Sequence, residues 1–263
     1  ATQQLSEEGI PDPAIEAEAI MRHATTQDRA GFFASLNEEV DAVEQDQINS
    51  LVERRRNREP LFYLLGHREF YGFEIYVDSA VLIPRQETEL LVDLTLQHCA
   101  DYGKRQVTIV DVGTGSGAIA LALARHLPAA KIYATDSSRE ALLVAKTNLE
   151  THDLVDRVHL IQTDLLRGLD TTADVIVSNP PYIASGDIAS LPIEVQQEPK
   201  SAVDGGEEGV ELTTRMLKQA LPRIRPGGLI LFETAPWHIE RAIQISRDSF
   251  PYARVWQEQD LLG

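Results

Sequence analysis

The tetrapeptide Asn179-Pro180-Pro181-Tyr182 follows directly on the apolar run Val175-Ile176-Val177. Prolines cannot donate to a strand ladder, so the pair stops the strand and stiffens the chain just beyond it. The result is an amide and an aromatic ring presented at a strand's carboxyl end, where open α/β sheets bind ligands. A second candidate lies upstream in Asp111-Val112-Gly113-Thr114-Gly115-Ser116-Gly117-Ala118. Its alternating glycines clear side chains from a strand-to-helix turn and let a ligand lie against bare backbone. Nineteen residues after Gly117 a further strand pattern ends in Asp136, the spacing at which a carboxylate takes ribose hydroxyls. Another ends in Asp164-Leu165. Taken singly these signals are weak. The glycine turn could serve packing alone, and with Ala118 as its last small residue it also matches a dinucleotide fingerprint. Asp136 could be a solvated strand-end acid and Asp164 a helix cap. Together they place four ligand-capable strand ends on one sheet edge.

The elements that must position them are legible as an alternation. Strand patterns fall at 107–113, 131–136, 158–164, 173–179, 229–234 and 253–259, and helices fit at 86–102, 117–126, 138–151, 207–223 and 236–248. Strands alternating with helices predict βαβ units and a doubly wound, mostly parallel sheet. Residues 13–57 carry no strand signal; Ile15, Ala19, Ile20 and Ala24, then Phe32, Phe33 and Leu36, then Ile48, Leu51 and Val52 recur at helical spacing. Between the two regions, Phe73, Ile75 and Val77 alternate with Glu74, Tyr76 and Asp78, a half-buried strand pattern within a hairpin. The expected organisation is a helical domain at 1–58, a β-hairpin linker at 59–82 and a catalytic domain at 83–263.

Composition narrows the class. The 263 residues are 43% hydrophobic, enough for a sizeable core, and carry a net charge of −17. Binding to a nucleic-acid backbone draws its affinity from basic residues, and the one basic cluster here is Arg54, Arg55, Arg56 and Arg58. Nucleic acid is therefore disfavoured as a substrate. No apolar run approaches the roughly 20 residues of a membrane helix, and the acidic start has no export pattern. The lone Cys99 suits a reducing cytoplasm. With seven scattered histidines and one cysteine, no metal site is expected.

In order and spacing, the glycine loop, Asp136, Asp164 and Asn179-Pro180-Pro181-Tyr182 resemble a class I S-adenosylmethionine-dependent methyltransferase acting on a planar nitrogen. The tetrapeptide is shared with adenine methyltransferases. The segment 59–93, EPLFYLLGHREFYGFEIYVDSAVLIPRQETELLVD, is more discriminating: it is similar to the linker and entry helix of the PrmC/HemK family, which methylates the glutamine N5 of peptide chain release factors. The helical amino-terminal module, VDGGEEGVEL at 203–212 and QDLLG at 259–263 fit the same family. The chain departs from it at Gln86, where proline is usual, and at Ala235, where glycine is common. The family also continues into a seventh, antiparallel strand after QDLLG, so the chain is expected to be cut short at Gly263.

The resemblance implies a set of roles. Gly113, Thr114, Gly115, Ser116 and Gly117 would face the methionine portion of S-adenosyl-L-methionine, with S-adenosyl-L-homocysteine as product. Asp136 would take the ribose, and Asp164 with Leu165 would border the adenine. The Asn179 side-chain oxygen and the Pro180 carbonyl would accept hydrogen bonds from the substrate amide, Tyr182 would pack on its plane, and Pro181 would complete the substrate loop. Asn179 would touch cofactor as well as substrate, and Asp111 would support the loop or the cofactor's ammonium. The partner would be a class-1 release factor, presented through a Gly-Gly-Gln loop, in the cytoplasm. The competing readings are an adenine or guanine N-methyltransferase acting on DNA or RNA, a nicotinamide oxidoreductase, and a non-catalytic cofactor-binding protein.

Overall fold

Runs of β-branched residues too continuous to be half-exposed set the centre of the architecture, because strands covered on both faces need no polar alternation. In the computed structural model, which describes residues 1–100 and 105–259, every residue of β3 (Thr108–Val112) and β6 (Ala173–Ser178) is buried. The chain divides into two units. One comprises Ala1–His67 with Pro192–Gln197, the other Arg68–Leu191 with the chain from Glu198 onward.

The first unit is helical: α1 (Thr2–Glu7), α2 (Pro13–Ala24), α3 (Arg29–Ala34), α4 (Ala42–Arg56) and α5 (Leu61–Leu65), with the short turn Ile193–Gln196 (α9 in chain order). Pro13 at the first turn of α2 loses no hydrogen bond there. α4 opens with a reciprocal cap: Asp41 accepts from the Glu44 N–H at 2.8 Å and Glu44 accepts from the Asp41 N–H at 3.0 Å. Leu5, Ile20, Leu51, Val52 and Leu64 close the core. The fully buried Arg55 guanidinium meets Glu16, and Glu194 at 3.0 Å.

The second unit takes up the chain at Arg68, within the hairpin β1 (His67–Phe70) and β2 (Phe73–Tyr76), followed by α6 (Glu89–Ala100). Around β3 come α7 (Ala118–His126), β4 (Lys131–Asp136), α8 (Arg139–Thr151) and β5 (Val158–Gln162). After β6 follow β7 (Ile183–Ala184), α10 (Lys200–Val203), β8 (Asp204–Gly206), α11 (Glu211–Ala220), β9 (Ile224–Phe232) and α12 (Ile239–Ser249). The sheet has the order β5-β4-β3-β6-β9, and all its pairings are parallel. The strand order reverses between β3 and β6, so the crevice beyond their carboxyl ends is the switch point. In register, Val112 lies beside Ser178 and Ser178 beside Phe232. Gly113, Asn179 and Glu233 therefore leave three adjacent strands at the same level.

Several expectations are corrected. The segment 60–65, read with the hairpin, is α5; Pro60 sets its entry and Leu64 joins the helical core. Ile15, Phe33 and Leu36, read as helical stripe residues, are exposed; α2 turns Ala17, Ile20 and Ala24 inward, and the six-residue α3 buries none of its side chains. The helix expected at 207–223 starts only at Glu211, because Gly206 and Gly209 adopt positive φ of 105° and 76°. The strand expected at 253–259 does not form: almost every residue there is exposed, so pairing would bury little apolar surface. Residues 101–102 of the first expected helix, and 260–263 of the QDLLG motif, lie outside the described residues.

Candidate active site

The glycine loop is bound to the end of β4. The Gly113 and Thr114 N–H groups both donate to the Thr135 carbonyl, at 2.8 and 2.9 Å. Gly113 and Gly115 hold φ of 69° and 54°, and a Cβ added to either would meet nothing within 4 Å. That open backbone faces the cleft beyond the strand ends, whose wall also carries Arg85 and Thr88. Gly117 differs: a Cβ there would stand 3.0 Å from that of Ala145, so its glycine serves the packing of α8. Thr114, Ser116, Asp136, Asp164, Leu165, Asn179 and Pro181 line the same cleft as Gly113 and Gly115; Gly117, Pro180 and Tyr182 border the loops without lining it.

Beneath the loop lies Asp111, fully buried. One of its oxygens accepts from the Thr114 hydroxyl at 2.6 Å, while Oδ1 has no hydrogen-bond partner. Burial, with a smaller contribution from the charge of Asp136, pushes this carboxyl up to about 7. A buried acid with a spare oxygen below bare backbone fits a ligand that brings a cation to the loop. Asp136 is also lifted by burial; its two oxygens accept from the Gly115 and Ser138 N–H groups, both at 2.9 Å. The Ser137 N–H is also directed at the carboxylate, and with about four lone-pair sites on its two oxygens one acceptor position remains for a hydroxyl ligand. Leu165 holds φ 57°, a conformation that non-glycine residues rarely adopt, and Asp164 beside it pairs with Arg215.

The proline loop is held from behind by backbone. A Cβ on Gly205 would lie 2.7 Å from the Pro181 carbonyl oxygen and 2.9 Å from Tyr182 Cα; on Gly209 it would lie 2.6 Å from the Tyr182 carbonyl oxygen. Pairing of β7 with β8 fastens the same contact. The glycines of VDGGEEGVEL are thus what allow the chain to approach the loop so closely.

Asn179 donates from Nδ2 to Thr88 Oγ1 at 2.9 Å, and Thr88 donates on to Glu233 Oε2 at 2.6 Å. Tyr182 donates from its hydroxyl to the other oxygen of Glu233 at 3.2 Å. Burial raises the Tyr182 phenol well above its ordinary range, and the neighbouring Glu233 adds to it, so the ring stays neutral. Arg85, at the cleft wall, pairs with the buried Glu198, which also accepts from the Ile83 N–H at 3.1 Å. Sequence reasoning passed over Thr88, Arg85, Glu198 and Glu233 as site residues. Glu233 carried a usable signal, since it too follows a strand's carboxyl end. Thr88 and Arg85 lie before α6 and reach the cleft only through tertiary folding. Among the described residues no group of three or more histidine, cysteine, aspartate or glutamate side chains could hold a metal.

The parallel sheet, the glycine cradle and the loop at the switch point define a class I methyltransferase fold. In keeping with this, the structure superposes on the 16S rRNA N2 methyltransferase of T. thermophilus, solved with AdoMet and guanosine, at a TM-score of 0.50 and 20% identity, covering 70% of this chain and 45% of that one. Residues 1–66 match the PrmC N-terminal domain and residues 86–194 the methyltransferase small domain. The release factor glutamine methyltransferase of Moorella thermoacetica is 41% identical over 89% of this chain and 82% of its own. That of Rhodopirellula baltica is 36% identical over 100% of this chain and 90% of its own. The chain belongs to the release factor glutamine methyltransferase family.

Proposed function

We propose that the protein transfers a methyl group from S-adenosyl-L-methionine to the side-chain N5 of the glutamine in the Gly-Gly-Gln loop of class-1 peptide chain release factors. The observation that carries this reading is Asn179, at a rigid strand end beside an open glycine cradle, with its amide nitrogen already engaged by Thr88. Its oxygen is thereby left to the cleft. Bound S-adenosylmethionine supplies an electrophilic methyl on a sulfonium. The backbone at Gly113 and Gly115 receives the methionine end, Asp111 balances its ammonium, Asp136 takes ribose hydroxyls, and Asp164 with Leu165 borders the adenine.

An amide nitrogen is a poor nucleophile because its lone pair is delocalised into the carbonyl. Asn179 Oδ1 and the Pro180 carbonyl accept the two N–H bonds of the substrate NH2, direct the nitrogen at the methyl, and stabilise the positive charge that grows there. Alignment of this kind supplies on the order of 7–11 kcal/mol. Tyr182 supports the planar amide, and the proton leaves after transfer, so no side chain acts as a base in the transition state. The amino-terminal unit contributes no reacting group and serves recognition of the protein substrate. The net charge of −17 supports a protein substrate over a nucleic acid.

The test is transfer of labelled methyl to purified release factor beside duplex and single-stranded nucleic acid. Label is expected on the release factor, and is lost with Asn179→Ala or when the loop glutamine is replaced. Label on nucleic acid instead overturns the substrate assignment.

A further inference from the structure

The proposed mechanism needs the Asn179 oxygen, and not its NH2, to face the substrate. An asparagine amide has nearly the same shape in both orientations, so something must choose between them. Thr88 is buried, and its hydroxyl lies 2.6 Å from Glu233 Oε2. An ionised carboxylate only accepts, so the single hydroxyl proton of Thr88 is committed to Glu233. What Thr88 then offers Asn179, 2.9 Å away, is a lone pair. The NH2 end satisfies it; the flipped amide would set oxygen against oxygen at hydrogen-bonding distance. Tyr182 donates to the remaining oxygen of the same carboxylate at 3.2 Å. Glu233 thus engages both distinctive side chains of the proline loop, and the register places it level with Asn179 on the neighbouring strand.

We propose that Glu233, acting through Thr88, is a positioning residue that fixes the polarity of the Asn179 amide so that its oxygen is the end offered to the substrate. This rests on the reading of Asn179 as the acceptor of the glutamine NH2. Protonated Glu233 can itself donate to Thr88, which frees the Thr88 proton for Asn179 Oδ1 and removes the reason for one orientation. Burial raises the Glu233 carboxyl and the nearby charge of Glu87 adds to this, while hydrogen bonding from Thr88, Tyr182 and, more weakly, the Asn179 amide itself opposes it, the last favouring the same NH2-inward orientation. Glu87, Tyr182 and Arg85, which acts on Tyr182, are the other titratable groups around the chain of bonds. Transfer is therefore supported above the raised Glu233 value and falls as pH drops through it.

The experiment measures kcat for methylation of release factor at saturating S-adenosylmethionine from pH 5.5 to 9, with cofactor Kd by calorimetry. The variants are Thr88→Val, Thr88→Ser, Glu233→Gln, Asn179→Ala and the double variant Thr88→Val/Asn179→Ala. T88V is expected to lose about 10- to 100-fold in kcat with cofactor Kd within about twofold, a check that the cleft still folds. T88S, which keeps the hydroxyl, restores kcat to within about threefold of the parent. T88V adds no further loss to N179A, and E233Q removes the acid limb of the kcat profile. A T88V enzyme with parental kcat, or losses that multiply in the double variant, overturns the proposal and leaves the role of Asn179 standing. An N179A enzyme that keeps its activity overturns the underlying reading, and is distinguished because that variant is also assayed alone.

Discussion

Replacing Gly205 by alanine adds one methyl group at the back of the proline loop. Gly205 is not held in the left-handed region, so alanine is compatible with its backbone and the change tests close approach alone. The new Cβ would meet the Pro181 carbonyl oxygen at 2.7 Å, the Gly209 carbonyl oxygen at 2.8 Å and Tyr182 Cα at 2.9 Å. All three are backbone atoms, two on the proline loop and one at Gly209, so no flexible side chain can swing aside. To reach ordinary contact the loop must retreat by roughly 0.5–0.7 Å, comparable with the tolerance of about 0.5 Å within which a reacting constellation has to be held. A misplacement of about 1 Å costs on the order of 100-fold in rate, and overpacking of this kind costs about 1–3 kcal/mol in stability. The expectation is a kcat reduced by about 10- to 100-fold and a melting temperature lowered by several degrees, with S-adenosylmethionine affinity changed less than kcat because the glycine cradle lies on other strand ends. Steady-state methyl transfer, scanning calorimetry and cofactor titration read these three quantities. Gly186→Ala is the control: it sits beyond the same loop, and its Cβ would meet nothing within 4 Å, so activity is retained and stability moves by less than about 0.5 kcal/mol. A Gly205→Ala enzyme with unchanged kcat and a lowered melting temperature would refute the link from backbone approach to amide placement.

The Asp111 carboxyl, pushed up to about 7 by burial, holds in the folded state a proton that the unfolded chain releases near pH 4, so ligand-free stability falls as pH rises from about 4 to about 7. Asp111→Asn removes that dependence; its melting temperature rises relative to the parent as pH is raised from 5 to 8 while S-adenosylmethionine binding weakens, and parallel melting profiles for the two proteins would contradict the assignment. Arg55→Ala leaves the half-buried Glu16 without its partner, while Glu194 keeps Arg58 at 3.2 Å; the expected cost is about 1–3 kcal/mol, read by denaturant unfolding, and an unchanged midpoint would contradict it. Gly117→Ala, with φ 81° and only 3.0 Å to Ala145 Cβ, is expected to destabilise by about 1–3 kcal/mol, measured by denaturant unfolding without ligand.

How much of this was legible in the chain can be judged element by element. The strand 131–136 appears with the bounds its pattern predicts, and β3 and β6 were readable because a strand covered on both faces must be apolar throughout. Gly113, Gly115, Asp136 and Asn179 were legible because glycine, strand-end acids and proline pairs leave local marks that need no knowledge of distant residues. Edge segments were less so: 253–259 carries β-forming residues but buries almost none of them, and 60–65 resembles a strand until its leucines find the helical core.

Local chemistry, then, determined what the strand ends carry: bare backbone, carboxylates, and a stiff loop with an amide and a ring. Only the tertiary structure decided which way that amide is turned and what holds the loop. Thr88 is 91 residues from Asn179, and Glu233 is 145 from Thr88, so no local pattern links them. Orientation comes from hydrogen bonds whose donors and acceptors meet only when three adjacent strand ends stand in register, and close approach comes from glycines whose missing side chains matter only once another segment fills the space.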